Sequence, residues 1–364
     1  MIKKLNTGCV MPDGVYSNAE MSDDEYHALP RASNSIFKIA SNNTMGAWST
    51  SWMNPRRTNS DTEAKKTGRA YHKYILEGKA AFEQTHARTL NKDDYKDLLV
   101  TVADMTDWLS KMKLAVPTGK AKKDDLIKQI QRHPNAPPIF DVLIRKHKEQ
   151  NANKTLLKND VYDDISIANA IIRNSETLNA SVSNGEPEVT FLYTLLLPEI
   201  DGSDVIYSLP CKARLDYLKL KSIVDLKTFS NFSFQPTKKV VTRAIANYSY
   251  HVQSASYLQA WSYALKLIAA KQTFGSNQFK RFVEKTANQP KSFWFLFQQT
   301  GAPVNYLCEM ETSQSLTYEN ARYRLKEGQI NFCRNFDHFG AEPWVENAPV
   351  EILQDGDFPQ YIFD

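Results

Sequence analysis

The pattern of apolar and polar positions predicts helices in the first half of the chain. Ser33-Asn34-Ser35 precedes the segment IFKIA as a helix N-cap does, because short polar side chains accept hydrogen bonds from the free N–H groups of a first turn. The segment GRAYHKYILEG spaces its apolar residues for one helix face and stops at Gly78. Residues 93–180 keep this helical character, interrupted by prolines and a glycine, so we expect a helical region without strands there.

The pattern changes at Glu186, where long runs of Val, Ile, Leu, Tyr and Phe begin. The segments EVTFLYTLLLP, VIYSLPCKARLDYLKL and SIVDLKTF are bounded by turn residues, which is typical of strands. The next segment, NYSYHVQSASYLQAWSYALKLIAA, has helical spacing, and SFWFLFQQ indicates a further strand. Strands flanked by helices predict an α/β fold with a mixed central sheet.

The composition is that of a folded protein, with 42% apolar and 24% charged residues among 364. This length allows two domains, or one large domain with an insertion. No run approaches the ~18 to 20 apolar residues of a membrane span, and MIKKLNTGCVMPDG lacks an apolar signal region. We therefore expect a cytoplasmic protein with no membrane segment. The cysteines are far apart and form no CxxC pair, so we expect free thiols at Cys9, Cys211, Cys308 and Cys333.

Positive charge is concentrated in residues 111–133, which hold seven Lys or Arg and two Asp. Their difference of +5 exceeds the +4 of the whole chain. A local basic segment of this kind attracts phosphate groups. It fits a solvated helical connector equally well, because lysine-rich exposed helices are common.

The stretch ARLDYLKLKSIVDLKT carries the candidate chemistry. Asp225 and Lys227 project to one face of a strand, because side chains alternate with period two. A hairpin that turns at Lys221-Ser222 would set Asp216 opposite Lys227 and diagonal to Asp225. A loop of odd length would turn Asp216 to the other face.

Two carboxylates and a lysine among apolar residues are costly unless they are paired or bind a cation. Carboxylate oxygens suit Mg²⁺ or Mn²⁺. Phosphodiester hydrolysis uses such a cation to neutralise developing charge and to acidify the attacking water. The alternative is an ordinary salt bridge on a half-exposed hairpin.

The order of five short motifs resembles the PD-(D/E)XK nucleases, and within them the RecE or exonuclease VIII group of phage recombination exonucleases. The resemblance runs from about Ser33 to about Phe297. It implies a restriction-endonuclease-like core with a mixed central sheet flanked by helices, and a helical insertion. The motifs are GRAYH (68–72), EVT (188–190), KARLD (212–216), IVDLKT (223–228) and YHVQSASY (250–257).

The resemblance also implies roles for individual residues. His72, Asp216 and Asp225 would be metal ligands together with the Leu226 carbonyl, and Lys227 would position or activate the hydrolytic water. The metal would be Mg²⁺, with Mn²⁺ able to substitute.

Three further positions match the family pattern around this centre. Glu188 would serve a second metal or the DNA end, with Glu186 close enough to leave that assignment open. Gln253 and Tyr257 would be wall residues of the active site, although their helical stripe also fits a plain core face.

The domain boundaries follow from the same comparison. Residues 1–92 would be the N-terminal helical part of the nuclease domain, 181–300 the catalytic core and 301–364 a C-terminal extension. Within the helical region 93–180, the segment LAVPTGKAKKDDLIKQI resembles SAP-like helix-extended-helix modules, which places a DNA-binding insert at about 104–135.

The implied function is metal-dependent exonucleolytic degradation of linear double-stranded DNA from its ends, 5′ to 3′. The remaining 3′ strand would pass to a RecT-type annealing protein. A ring-shaped homo-oligomer, in a bacterial cell or a phage-infected host, belongs to the same expectation. The alternatives are a structure- or sequence-directed endonuclease of this fold and an inactive DNA-binding protein. An iron–sulfur relative is disfavoured, because the cysteine spacing does not provide four cluster ligands.

Overall fold

The described strands range from two to fourteen residues in length. A computed structural model describes residues 1–57, 62–116, 122–199, 204–345, 352, 354–358 and 360. Strands in these ranges are β1 (Ile2–Lys4), β2 (Gly14–Tyr16), β3 (His86–Arg88), β4 (Thr155–Leu157), β5 (Gly185–Pro198), β6 (Ile206–Lys219), β7 (Ser222–Phe229), β8 (Thr273–Phe274), β9 (Ser292–Gln299) and β10 (Asn305–Met310).

The two longest of the described helices follow β5. They are α1 (Asp23–Ala28), α2 (Asn34–Ala40), α3 (Thr44–Thr50), α4 (Glu63–His72), α5 (Lys79–Thr85), α6 (Val102–Lys111), α7 (Lys123–Gln131), α8 (Phe140–Gln150), α9 (Asn159–Asn174), α10 (Glu176–Ser181), α11 (Thr237–Asn247), α12 (Tyr250–Ala269), α13 (Asn277–Ala287) and α14 (Leu316–Phe339). A π-helical turn, Lys73–Glu77, continues α4 up to Gly78. None of the described helices is long and apolar enough to cross a membrane.

The chain divides into two units. The first comprises Met1–Ser60, Ala180–Phe297 and Tyr306–Asp364, and the second comprises Asp61–Asn179 and Gln298–Asn305.

The first unit is organised around a mixed sheet in the order β10-β9-β7-β6-β5-β2-β8, with β1 parallel to β6. Strands β5 and β6 are antiparallel over their whole length. Val189 to Tyr193 of β5 are buried without a break, which explains the continuous apolar run seen in the sequence. The predicted α/β fold with helices around a mixed central sheet is confirmed, as are strands β5, β6, β7 and β9 and helix α12.

The hairpin of β6 and β7 has a different register from the predicted one. Tyr217 pairs with Val224 and Leu218 with Ile223, so the turn is centred on residues 220–221 rather than at Lys221-Ser222. The prediction that Asp216 faces Lys227 is therefore wrong by two positions. Because the shift is even, the predicted common face is preserved.

Helix α14 lies among the core helices of the first unit, where it packs against α2 and α12. A side chain at Gly328 would collide with the carbonyl oxygen of Phe37, so only glycine allows this close helix approach. Rings of Phe37, Phe332 and Phe336 fill the contact. Helix α2 begins at Asn34 as predicted, although the Ser33 hydroxyl makes no capping bond to it.

The second unit is mostly helical and contains a small core of its own. Helices α6 and α7 pack on each other around seven buried apolar residues, and Leu99 and Ile139 form an isolated bridge. Residues 117–121 of the SAP-like segment lie outside the described residues. The short strand β4, paired with β3, falls within the region predicted to lack strands, because three residues are too few to produce a visible alternation. The small core is formed by Leu99, Met105, Leu109, Leu126, Ile127, Ile130 and Ile139.

Candidate active site

Three carboxylates stand level with one another on three adjacent strands of the first unit. The register of β5 and β6 aligns Glu188 with Asp216, and that of β6 and β7 aligns Asp216 with Asp225. A carboxylate oxygen of Glu188 lies within 4.8 Å of one of Asp216. Asp225 is fully buried, and the other two are half-buried. We call these three residues the carboxylate row.

The backbone of Glu188 is strained at its position in this row. Its φ of 53° lies in the left-handed region, which costs a non-glycine residue roughly 1–3 kcal/mol. The Nε of Arg214 donates to its carboxylate at 2.8 Å. Arg214 is itself fixed by the carbonyls of Met21 and Ser22, each at 3.1 Å. An arginine held by the backbone therefore orients the strained residue.

The structure favours Glu188 over Glu186 as the acidic residue on β5. Glu186 pairs with Leu218, two positions away from the level of Asp216. Burial raises the pKa of Glu186. Only Glu188 of these two glutamates has its carboxylate next to that of Asp216 among the described residues.

Asp216 joins its strand to β7 through its side chain. Its carboxylate accepts a hydrogen bond from the backbone N–H of Leu226 at 2.8 Å. Burial raises the pKa of Asp216, while Lys227 and the Leu226 N–H oppose that rise. An ionised Asp216 is therefore costly in this place unless a further positive charge approaches it.

Asp225 and Lys227 form a close ion pair on β7. Their Oδ2 and Nζ atoms are 2.5 Å apart, and the other oxygen of Asp225 accepts from Gln253 Nε2 at 2.8 Å. Burial lowers the pKa of Lys227, but Asp225 and Asp216 raise it by more, so the net shift is upward. Lys227 is consequently an ammonium group at neutral pH.

Helix α12 forms one side of this centre. Gln253 hydrogen-bonds both Asp225 and Tyr257. Burial raises the pKa of Tyr257 well above its usual value, and the nearby charges of Asp225 and Asp216 raise it further. The stripe that sequence reasoning left open thus brings Gln253 and Tyr257 against the carboxylates. Tyr250, one turn earlier, lies with its ring centroid 5.0 Å from the Lys227 ammonium.

Lys38 of α2 is a second ammonium near the same ring. Its Nζ lies 5.8 Å from the Tyr250 centroid and donates to the Tyr248 carbonyl at 3.0 Å. Burial, and then the charge of Lys227, lower the pKa of Lys38 to about 8. Sequence reasoning missed it, because a single lysine in the predicted helix IFKIA carries no sign of its partner.

His72 lies in the second unit, as the last residue of α4. Its side chain is half-buried, and the π-helical turn starts directly after it. Its role as a metal ligand stays a prediction, as does that of the Leu226 carbonyl.

The first unit contains the other predicted site residues and gathers them around the carboxylate row. Oxygen donors from glutamate and aspartate fit a divalent cation of the Mg²⁺ or Mn²⁺ type. The half-buried Glu188–Asp216 pair and the raised pKa of Asp216 fit the approach of such a charge. The gathered residues are Glu188, Asp216, Asp225, Leu226, Lys227, Gln253 and Tyr257.

Comparison with known proteins gives a family match over the part of the chain that contains these site residues. A family model described as a PDDEXK-like domain of unknown function (DUF3799) matches residues 36–271. The match starts within α2 and includes the carboxylate row, Lys227 and α12. No curated protein matches the sequence.

Proposed function

Because the chain belongs to the PDDEXK-like domain family, we propose that it is a metal-dependent exodeoxyribonuclease. The family model covers more than half of the chain and supports a nuclease of this superfamily, a hydrolase that binds metal. Action on DNA ends, and Mg²⁺ as the metal, are the finer parts of the proposal.

The observation that carries the proposal is the carboxylate row beside the Lys227 ammonium. Glu188 and Asp216 would hold a divalent cation through their neighbouring oxygens, and Asp225 would complete the row. Such a cation supplies charge neutralisation at the phosphate and a more acidic water. A plain structural salt bridge needs one carboxylate for one lysine, whereas both Asp216 and Asp225 act on Lys227 here, and Glu188, paired with Arg214, adds a third carboxylate.

Lys227 acts as a hydrogen-bond donor in this scheme. Asp225 and Asp216 raise its pKa, so its ammonium group donates hydrogen bonds. It would position or activate the hydrolytic water, or contact a phosphate oxygen, while Gln253 holds Asp225 in place for it.

His72 and the Leu226 carbonyl are proposed as additional metal ligands. The support for both is the resemblance of GRAYH and IVDLKT to the corresponding nuclease motifs. For Leu226 there is also the hydrogen bond that fixes its backbone to Asp216.

The proposed substrate is linear double-stranded DNA, degraded 5′ to 3′ from its ends. A RecT-type annealing protein as recipient of the 3′ strand, and a ring-shaped homo-oligomer, complete the proposal. Their support is the resemblance to the RecE group.

The subdomain around α6 and α7 is proposed as a DNA contact that works through charge. Its own small core lets it form a separate helix pair, and Lys122, Lys128 and Arg132 are exposed on it. Contacts of this kind would add affinity that is independent of sequence and falls with salt.

The deciding experiment incubates the full chain with linear and with covalently closed circular duplex, with and without Mg²⁺. We expect Mg²⁺-dependent loss of the linear duplex only, and no loss with Lys227→Ala. Cleavage of the closed circle would show an endonuclease instead. Binding of DNA without cleavage of either form would show an inactive DNA-binding protein.

A further inference from the structure

Two phenylalanines lie almost completely exposed in the loop that leaves β7. Phe232 is 88% and Phe234 is 93% exposed, in the seven-residue connection from Ser230 to Pro236. Each ring forgoes the stabilisation that burial of such a side chain provides. Two of them so close together indicate a contact surface.

The loop that presents these rings is hydrogen-bonded within itself. Asn231 Nδ2 donates to the carbonyl of Gln235 at 2.8 Å, and the Gln235 N–H donates back to Asn231 Oδ1 at 3.0 Å. Phe234 has a φ of 50°, in the left-handed region. The bonds of Asn231 therefore close a turn that directs both rings outward.

Charge identifies the kind of partner. Residues 226–283 contain no aspartate and no glutamate, and α11, which follows the loop, exposes Lys238, Lys239 and Arg243. Protein–protein interfaces are depleted of lysine. Aromatic rings interleaved with uncompensated positive charge are instead typical of surfaces that bind single-stranded nucleic acid.

The far end of α11 returns to the active site. Tyr248, 63% exposed, has its ring centroid 5.5 Å from that of Tyr250, and the Tyr250 ring in turn lies 5.0 Å from the Lys227 ammonium. The segment thus starts after the strand of Lys227 and ends at a ring that contacts the tyrosine lying over the same lysine.

We propose that residues 230–248 bind unpaired nucleotides of DNA next to the carboxylate row. The rings of Phe232 and Phe234 stack on bases, and the basic residues of α11 contact phosphates. Bases inside a duplex already stack on each other, so only frayed, terminal or single-stranded nucleotides have a free face for these rings. The inference rests on the proposed action on DNA. It attributes the proposed preference of the enzyme for DNA ends to this segment, which binds the unpaired nucleotides at an end.

The test measures equilibrium binding of a fluorescent single-stranded oligothymidylate and of a closed circular duplex to the full chain in EDTA. We expect Phe232→Ala/Phe234→Ala to weaken binding of the oligonucleotide about tenfold or more, and binding of the circle less than twofold. Lys238→Gln/Lys239→Gln/Arg243→Gln should reduce the salt dependence of oligonucleotide binding by roughly two in log–log slope.

Two control variants carry changes of the same kinds, at fewer positions, elsewhere in the first unit. Tyr323→Ala removes an aromatic ring that is 66% exposed on α14, and Lys280→Gln/Arg281→Gln removes two exposed charges on α13. Both should bind the oligonucleotide like the original protein.

Unchanged oligonucleotide binding in the phenylalanine variant would overturn the inference, as would an equal loss in Tyr323→Ala. A change of oligomeric state, measured by sedimentation, with unchanged binding would overturn it in favour of a contact between copies of the chain. Because these measurements need no cleavage, failure of the nuclease proposal would be seen separately, as absent hydrolysis by a protein that still binds the oligonucleotide through these rings.

Discussion

The carboxylate of Asp216 accepts the backbone N–H of Leu226 at 2.8 Å, so one proposed metal ligand holds the backbone of another. The bond crosses from β6 to β7 just beyond the last paired residues, Tyr217 and Val224. Asp216 therefore has a structural duty in addition to its proposed chemistry, and the two are separable by substitution.

Asp216→Asn should abolish Mg²⁺-dependent cleavage without lowering the free energy of unfolding. The amide oxygen still accepts the Leu226 N–H, and the costly buried charge is gone. Asp216→Ala leaves that N–H without its acceptor and should cost about 1–3 kcal/mol. Urea unfolding and a cleavage assay check both variants. Equal destabilisation by Asn and Ala, or cleavage retained in either, would contradict the two assigned duties.

Lys38 Nζ lies over the Tyr250 ring, as the Lys227 ammonium does, and we expect it to contact a phosphate of the substrate. Lys38→Gln should therefore lower kcat/KM on linear DNA about tenfold or more, because a charge-assisted hydrogen bond to a phosphate contributes about 1.5–3 kcal/mol. The amide keeps a donor for the Tyr248 carbonyl. Lys266→Gln is the matched control, since Lys266 also lies over a tyrosine ring, that of Tyr263, at 5.3 Å. The same kinetic loss in both variants would show that Lys38 has no special contact with the substrate.

The sequence was sufficient for the central strands and for the common face of the proposed catalytic residues. The alternation of side chains requires only that a segment is a strand. The common face of Asp216, Asp225 and Lys227 was therefore predicted correctly although the hairpin register was shifted. The register itself was not predictable, because a shift of two residues leaves every side chain on the same face and so fits the same alternation.

Other features left no readable signal in the chain. The left-handed backbone of Glu188 is accompanied by an ion pair with Arg214, a partner on the next strand. Arg214 lies two positions before Asp216, so alternation alone placed it on the same face, but its partner was not evident. Helix α11 was missed because the segment TKKVVTRAIAN is short and half polar. Long apolar runs are visible in a sequence, whereas cross-strand polar pairs need the register first.

His72→Ala should weaken binding of Mn²⁺ to the full chain at least tenfold if its imidazole is a ligand, because even indirect partners of a metal contribute 10–100-fold. His133→Ala, another half-buried histidine of the second unit, serves as the control. Calorimetric titration without DNA measures the affinity directly. An unchanged affinity in His72→Ala would remove this residue from the proposed ligand set.

The subdomain around α6 and α7 should increase the salt dependence of duplex binding. Replacing Lys122, Lys128 and Arg132 by Gln should lower the log–log slope by roughly three, at about 0.9 for each lost phosphate contact. Replacing three exposed basic residues of α8 by Gln gives a control of equal charge: Arg145, Lys146 and Lys148. Equal slopes in the two triple variants would show that residues 111–133 are a solvated helical connector and not a DNA contact.

Lys212 should make the free energy of unfolding depend on pH in the alkaline range. It is 7% exposed, and its Nζ donates to the carbonyls of Tyr26 at 2.7 Å and Leu29 at 2.9 Å. Burial, and then the charge of Arg57, lower its pKa from 10.5 to about 8. The folded protein therefore releases this proton at a lower pH than the unfolded chain does.

Between pH 8 and 10.5 the unfolded chain binds more protons at Lys212 than the folded protein, so this residue makes the free energy of unfolding rise with pH across that window. The rise reaches at most about 3 kcal/mol, at 1.36 kcal/mol per pKa unit. Below the window both states hold the proton, and the full cost of the buried ammonium remains. Lys212→Met should lose this component, while Lys266→Met should keep it. Urea unfolding of the three proteins at half-unit pH steps measures the slopes, and an undiminished rise in Lys212→Met would show that the ammonium is as stable in the fold as in water.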